Sequence, residues 1–150
     1  MPESEKLNPG SFFLVAVQFA CIGVLLFCNN PQHYNGLSMF TGLAGIVIGS
    51  WAVMVMAAGK LSIFPEVRNG AVLIRRGPYR FIRHPMYLAV ILFCGAEVLA
   101  LFTAFRLAVL ILLVIDLVVK MGYEENMLRE NFPEYREYQK VTRKLIPFVY

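Results

Sequence analysis

Four long apolar runs, separated by short stretches that gather most of the charge, constrain this chain more than any other feature of its sequence. They cover residues 11–28, 37–58, 85–102 and 107–121. A helix needs about 20 apolar residues to cross the hydrocarbon of a bilayer, and within lipid a helix satisfies its own backbone groups. The pattern predicts an all-α integral membrane protein with about four transmembrane helices, the third and fourth forming a tight hairpin. Composition agrees: 58% of the 150 residues are hydrophobic, 16% are charged, and the mean hydropathy is +0.60, well above that of a soluble domain of this size. So many spans leave little chain over, and residues 1–150 are expected to form a single membrane-embedded domain.

The distribution of charge orients the spans. The turn at 29–36 carries no Lys or Arg, whereas residues 59–83 carry Lys60, Arg68, Arg75, Arg76, Arg80 and Arg83 against the single acid Glu66. The positive-inside rule puts that loop in the cytoplasm, and with four spans both termini and any site beside the loop lie there too. The membrane is the cytoplasmic (inner) one in a bacterium or that of the endoplasmic reticulum in a eukaryote. The cations stand beside the spans, where they meet anionic lipid or an anionic group of a ligand, so the net charge of +4 does not argue for nucleic acid. The N-terminus is mixed in charge and lacks a basic start, so the first run is expected to remain as a span rather than be cleaved as a signal. Cys21, Cys28 and Cys94 fall in apolar runs without the paired spacing of a zinc or redox motif, and read as small buried hydrophobes.

Within the second run Gly42, Gly45, Gly49 and Ala52 recur at helical spacing, the mark of a seam where another helix approaches closely. Pro85 suits the first turn of the third helix. After Gly122 the pattern changes to a charged helix with Met127, Leu128, Phe132, Tyr135 and Tyr138 on one face, predicted to lie along the interface as a C-terminal amphipathic helix.

Two polar clusters stand at helix ends. RRGPYRFIRHPMYLA, residues 75–89, sets arginines, a histidine and two tyrosines against the start of an apolar helix, and residues 120–130 carry the acidic pair Glu124 and Glu125. A hairpin of the third and fourth spans brings the His84 end of one beside the Glu124 end of the other. A basic, aromatic segment facing an acidic one suits a zwitterion. Lys120 and Glu124, four apart, share a helix face, where an ammonium can meet the carboxylate of an amino acid and a carboxylate its amino group; the alternative is an ordinary surface pair. Neither GxGxxG nor GxxxxGK[ST] occurs, and His33 and His84 fall on opposite sides of the membrane, which excludes a shared metal site.

RHPMYLA followed by EENMLRENFPEYREYQKVTRKLIPF resembles the isoprenylcysteine carboxyl methyltransferase and phospholipid methyltransferase family. The family-like part of the chain is about 71–147, and the first two spans match only as generic apolar helices. The resemblance implies transfer of the methyl of S-adenosyl-L-methionine to a lipophilic acceptor from the bilayer, leaving S-adenosyl-L-homocysteine. It implies cofactor contacts from Ala71, Val72, Leu73 and Ile74, a pocket lined by Tyr79, a central element of His84, Pro85, Met86 and Tyr87, and polar partners in Lys120 and Glu124. Ala89 replaces a glycine frequent in the family. Attack on a sulfonium methyl is a direct displacement that needs alignment and desolvation rather than a protein nucleophile. Arg83, orienting the acceptor or the site, and Glu124 are the residues assigned to catalysis, and Glu125 either supports the site or is solvated.

Inside the spans, ionisable residues suggest function by default. Counted from the turn near Ala104 at about 1.5 Å per residue, Glu97 lies roughly 10 Å deep and Asp116 roughly 18 Å, too far apart to pair. Asp116 is assigned to acceptor binding and Glu97 to a hydrogen bond between helices. Two other readings stand beside the methyltransferase: a sterol-reductase-like enzyme using NADPH, since such proteins also carry a His-Pro-x-Tyr element, and a non-enzymatic membrane subunit or transporter. Isoprenylated cysteine carboxylates, phospholipid amines and small hydrophobic thiols would all suit an apolar tunnel.

Overall fold

The computed structural model describes residues 9–27, 33–57 and 73–146. Five helices follow in order: α1 (Pro9–Phe27), α2 (Gly36–Ala57), α3 (Pro85–Ala100), α4 (Ala104–Asn131) and α5 (Tyr135–Val141). Among the described residues no strand forms, and one parallel bridge joins Ile82 to Arg143. Cys28, Ala71, Val72 and most of the basic loop lie outside the described residues.

α1 and α2 are long and apolar enough to cross a membrane. They expose Phe12, Phe13, Phe19, Met39, Phe40 and Met54. α3 is apolar but only 16 residues long, and α4 is interrupted by Arg106, Asp116 and Lys120.

Small residues decide the packing. A Cβ built on Gly45 would lie 2.9 Å from the Ala89 carbonyl oxygen and 2.9 Å from the Phe93 nitrogen, and one on Gly49 would lie 3.2 Å from the Ala89 Cβ. The predicted seam is therefore the contact of α2 with α3, where two backbones nearly touch. Consequently α3 packs chiefly against α2, and α4 chiefly against α1. The third and fourth helices are joined by a short connection and meet in the core and at the His84–Glu124 end, as a hairpin requires, but each makes its larger contact with another helix. Residues 101–103 make that connection, and Thr103 caps α4 by accepting from the Arg106 backbone N–H at 3.2 Å. Cys21 and Leu25 of α1, Cys94 and Val98 of α3, and Leu113 and Leu117 of α4 form a shared core.

Two other expectations change. Gly122 does not interrupt α4, which continues to Asn131; Pro133, lacking an N–H, then separates it from the seven-residue α5. The single amphipathic helix is thus two pieces, and Tyr135 and Tyr138 of α5 are buried rather than laid on an interface. At the end remote from residues 81–84, Glu97 accepts from the Tyr34 hydroxyl at 2.6 and 2.7 Å, while Arg106 Nη2 donates to the carbonyls of Leu25 at 3.0 Å and Glu97 at 2.9 Å. The Glu97 carboxylate thus bonds the residue that leads into α2, not a second helix, and stands 4.0 Å from the Arg106 guanidinium of α4, a clasp whose other members the sequence did not indicate.

Candidate functional site

The site is built on the segment that leads into α3. Gly77 has φ +61, and a Cβ there would lie 2.7 Å from Val55 Cγ2 of α2, so both backbone and space demand glycine. A 3-10 turn, Gly77–Arg80, buries Tyr79. The next residues are held by the chain that follows α5: Arg83 N–H donates to the Arg143 carbonyl at 2.8 Å, His84 N–H to the Lys144 carbonyl at 3.0 Å, and Arg143 N–H to the Phe81 carbonyl at 3.1 Å. The Tyr138 hydroxyl adds a bond of 2.5 Å to the Tyr79 carbonyl. His84 is thereby fixed immediately before Pro85 starts the helix.

His84 lies between the two glutamates. Its Nδ1 is 3.5 Å from Glu124 Oε2 and its Nε2 is 3.3 Å from Glu125 Oε1. Burial disfavours the imidazolium, but hydrogen bonds and charge from both carboxylates outweigh it, and the pKa of His84 is raised. The ring stacks on Tyr87 with centroids 5.5 Å apart and planes within 6°. Tyr87 donates its hydroxyl to Glu124.

The glutamates differ in kind. Glu125 is 3% exposed. Its Oε1 accepts from Arg83 Nε at 2.7 Å and faces His84, while its Oε2 accepts from Gln139 at 3.2 Å and lies 3.8 Å from Lys144 Nζ. Burial alone would raise its pKa; the bonds from His84 and Arg83 instead hold it at about 2. Of the two earlier alternatives for Glu125, solvation is thus ruled out, and it ties α4 to the loop and to α5. Glu124, with its side chain 20% exposed, is the carboxylate that opens outward.

The other expected residues fall out unevenly. Arg83 also donates to the Thr142 carbonyl at 2.7 Å, so its guanidinium is directed at α4 and the segment after α5. Lys120 is 1% exposed, with its ammonium 2.7 Å from Gln18 Oε1 of α1 and 5.4 Å from the Tyr87 ring centroid. It shares a helix face with Glu124 but points into the bundle, where the exposed surface pair of the sequence alternative is not found. Leu73, Ile74 and Met86 are half-buried, and Pro85 and Ala89 buried. Arg75 reaches α5, 3.7 Å from Glu134 and over the Tyr138 ring.

Among the described residues, two buried polar atoms on the elements that carry the site have no hydrogen-bond partner: the Tyr79 hydroxyl and Asp116 Oδ2. Sequence reasoning missed Gln18, Gln139 and Lys144; Gln18, a lone amide in an apolar run, carried a signal. Near the start of α1, Gly10, Ser11, Phe13 and Leu14 line with Tyr123 of α4 an apolar recess of about 260 Å³. Among the described residues, no three of His, Cys, Asp and Glu gather as a metal site would require.

Two known proteins are similar to this chain in sequence. The chain is 26% identical over 131 residues to the nickel-cobalt-cadmium resistance protein NccN of Alcaligenes xylosoxydans xylosoxydans, covering 84% of this chain and 61% of that one. It is 30% identical over 107 residues to the cobalt-zinc-cadmium resistance protein CzcN of Cupriavidus metallidurans, covering 68% of this chain and 49% of that one. The chain thus spans about half to three fifths of the length of these relatives. The model of the isoprenylcysteine carboxyl methyltransferase (ICMT) family matches residues 39–130. That match takes in α2, which in sequence looked generic, and this agrees with the backbone contact between α2 and α3. With the match running from α2 through the His84 element to the paired glutamates, this chain belongs to the isoprenylcysteine carboxyl methyltransferase family.

Proposed function

We propose that this protein transfers the methyl of S-adenosyl-L-methionine to a lipophilic acceptor drawn from the bilayer, at the His84–Glu124 end of α3 and α4. Family membership and two apolar helices make it a membrane protein of a methyltransferase family. The observation that carries the finer reading is the placing of His84 between Glu124 and Glu125. It leaves Glu124 as the carboxylate that opens outward, and among the described residues the buried Tyr79 hydroxyl has no hydrogen-bond partner, two polar groups that a charged ligand could use.

When bound, the cofactor supplies an electrophilic methyl on a sulfonium sulfur. Glu124 receives its α-amino group, and Tyr79 donates its free hydroxyl. Leu73, Ile74 and Met86 supply apolar contact, while Ala71 and Val72 belong to the same proposal from sequence. Glu125 and Arg83 act at one remove, locking His84 and α5 so that the site excludes water. Lys120 orients the Tyr87 ring from within.

The reading includes four spans with both termini cytoplasmic. Arg106, Asp116 and Lys120 of α4 are all at least nine-tenths buried, whereas Ile111, Leu112, Ile115, Val118 and Val119 face outward. Over residues 107–121 the helix hides its charges and shows only aliphatics outward, which is compatible with lipid. The metal-resistance names of NccN and CzcN are not extended to this chain.

Calorimetry on purified protein in detergent tests the reading. S-adenosylhomocysteine should bind, and Glu124→Gln should weaken it more than about tenfold, since a charge-assisted hydrogen bond contributes about 1.5–3 kcal/mol. Unchanged affinity would remove Glu124 from the site. Binding of NADPH instead would favour the reductase reading, and binding of neither the non-enzymatic one.

A further inference from the structure

We infer that the two strips of chain that close the site, residues 80–83 and residues 141–146, dock on the headgroups of an anionic lipid leaflet, and that this contact tightens the backbone clamp on His84. The inference rests on the four-span membrane placement proposed above and not on methyl transfer. Backbone bonds hold the strips together: Arg143 N–H donates to the Phe81 carbonyl at 3.1 Å, and Arg83 N–H to the Arg143 carbonyl at 2.8 Å. Three large apolar side chains are bare on them, Phe81 at 53% exposure, Val141 at 78% and Ile146 at 46%.

The exposed charge at this end is one-sided. Glu134 is 3.7 Å from Arg75, and Glu137 is 2.6 Å from Lys140. Among the described residues, the exposed arginines Arg76, Arg80, Arg136 and Arg143 pair with no side chain, and Glu130 is the one exposed carboxylate without a basic partner. Arg80 adjoins Phe81, and Arg143 stands between Val141 and Ile146, so free cations and bare hydrocarbon alternate along both strips. A guanidinium presents a fork of donors that matches a phosphate, and apolar groups set among cations suit the surface of an anionic bilayer.

Depth selects lipid over a soluble acidic protein. Val119 is the last of the outward aliphatics of α4. Glu125, which accepts from Arg83 at 2.7 Å, follows six residues later, about 9 Å farther along the helix axis. The polar layer on each side of the hydrocarbon is about 5–8 Å thick, so the clamp stands at headgroup level. Opening the clamp lifts residues 141–146 away from residues 81–84, and whatever holds the strips on the leaflet opposes that opening. Each cation near an anionic surface strengthens the hold about fivefold.

The test places the full chain in nanodiscs of phosphatidylcholine, or of an equal mixture of phosphatidylcholine and phosphatidylglycerol, and follows amide hydrogen exchange. Residues 81–84 should exchange at least about fivefold more slowly with phosphatidylglycerol present, and high salt should remove most of the difference. The Leu101 amide, which donates to the Glu97 carbonyl at the other end of the bundle, should exchange alike in both. Arg80→Gln combined with Arg143→Gln should lose most of the effect while matching the unaltered chain in phosphatidylcholine alone, and Arg80→Lys with Arg143→Lys should keep it. Depth is read separately by quenching of tryptophan with brominated acyl chains in a Trp51→Phe background, where Val119→Trp and Val141→Trp should both be quenched. Equal exchange in the two lipids, equal slowing at both ends of the bundle, or retention of the effect by the glutamine pair would overturn the inference. So would an unquenched Val141→Trp beside a quenched Val119→Trp, which would leave the patch in water for an acidic soluble partner. An unquenched Val119→Trp would overturn the membrane placement as well.

Discussion

Glu125 holds more of this site together than any other side chain, with Arg83, His84, Gln139 and Lys144 all directed at one buried carboxylate. Removing its charge leaves Arg83 buried and unpaired. Glu125→Gln should therefore cost about 3–5 kcal/mol, read as a lowered midpoint of thermal unfolding in detergent. The pH dependence follows from the signs of two shifts. Glu125 is depressed from 4.5 to about 2, so its contribution is complete above pH 4.5 and is lost as pH falls towards 2. His84 is raised from 6.5, so its contribution is complete below pH 6.5 and is lost as pH climbs through the higher folded value. Stability should be greatest between those limits, and His84→Gln should flatten the alkaline side and, because His84 also helps hold Glu125 down, move the acid limb to higher pH; an unchanged alkaline side would contradict the assignment. The meeting of His84 with Glu124 was legible in the sequence, because motif and spacing set both at neighbouring helix ends. The division of labour between adjacent glutamates was not, since an EE pair does not say which carboxylate turns inward until α5 and the segment after it are in place.

Among the elements, α2 and α3 make the closest contact, and their glycines can be ranked. Gly45→Ala would set a Cβ 2.9 Å from two backbone atoms of α3, which cannot move aside as a side chain does. At Gly42 the nearest atom is the Ala96 Cβ, at an ordinary 3.4 Å. Gly45→Ala should destabilise by about 1–3 kcal/mol and Gly42→Ala hardly at all, as measured by unfolding in denaturant and detergent. Equal effects would mean that the helices are not so close. The seam itself was readable from helical spacing, but its partner was not: small residues announce a close approach without naming the helix that makes it. The continuity of α4 through Gly122 escaped notice for a similar reason. One glycine in a helix weakens it by only about 1 kcal/mol, whereas Pro133 removes a hydrogen bond outright.

At the scale of the molecule, polar groups gather at the two ends of an apolar bundle: the His84 cluster at one, and the clasp of Tyr34, Glu97 and Arg106 at the other. Four spans with cytoplasmic termini require these ends to face opposite aqueous phases. A cysteine at His33 should then react with an impermeant maleimide added outside intact cells, and one at Arg76 only after permeabilisation; the reverse pattern would invert the topology. Both side chains are exposed, so burial does not confound the comparison. The number of apolar runs was plain in the sequence, whereas the inward turn of the α4 charges emerged only from packing.

The pairing of residues 81–84 with 143–144 also sets an order in time. Arg83 is held by Thr142, 59 residues later in the chain. A ribosome releases those partners only after every helix through α5 has been made. A nascent chain halted before Thr142 would thus lack the backbone clamp on its histidine, and the His84 cluster would close late in synthesis, once the enclosing segment has emerged.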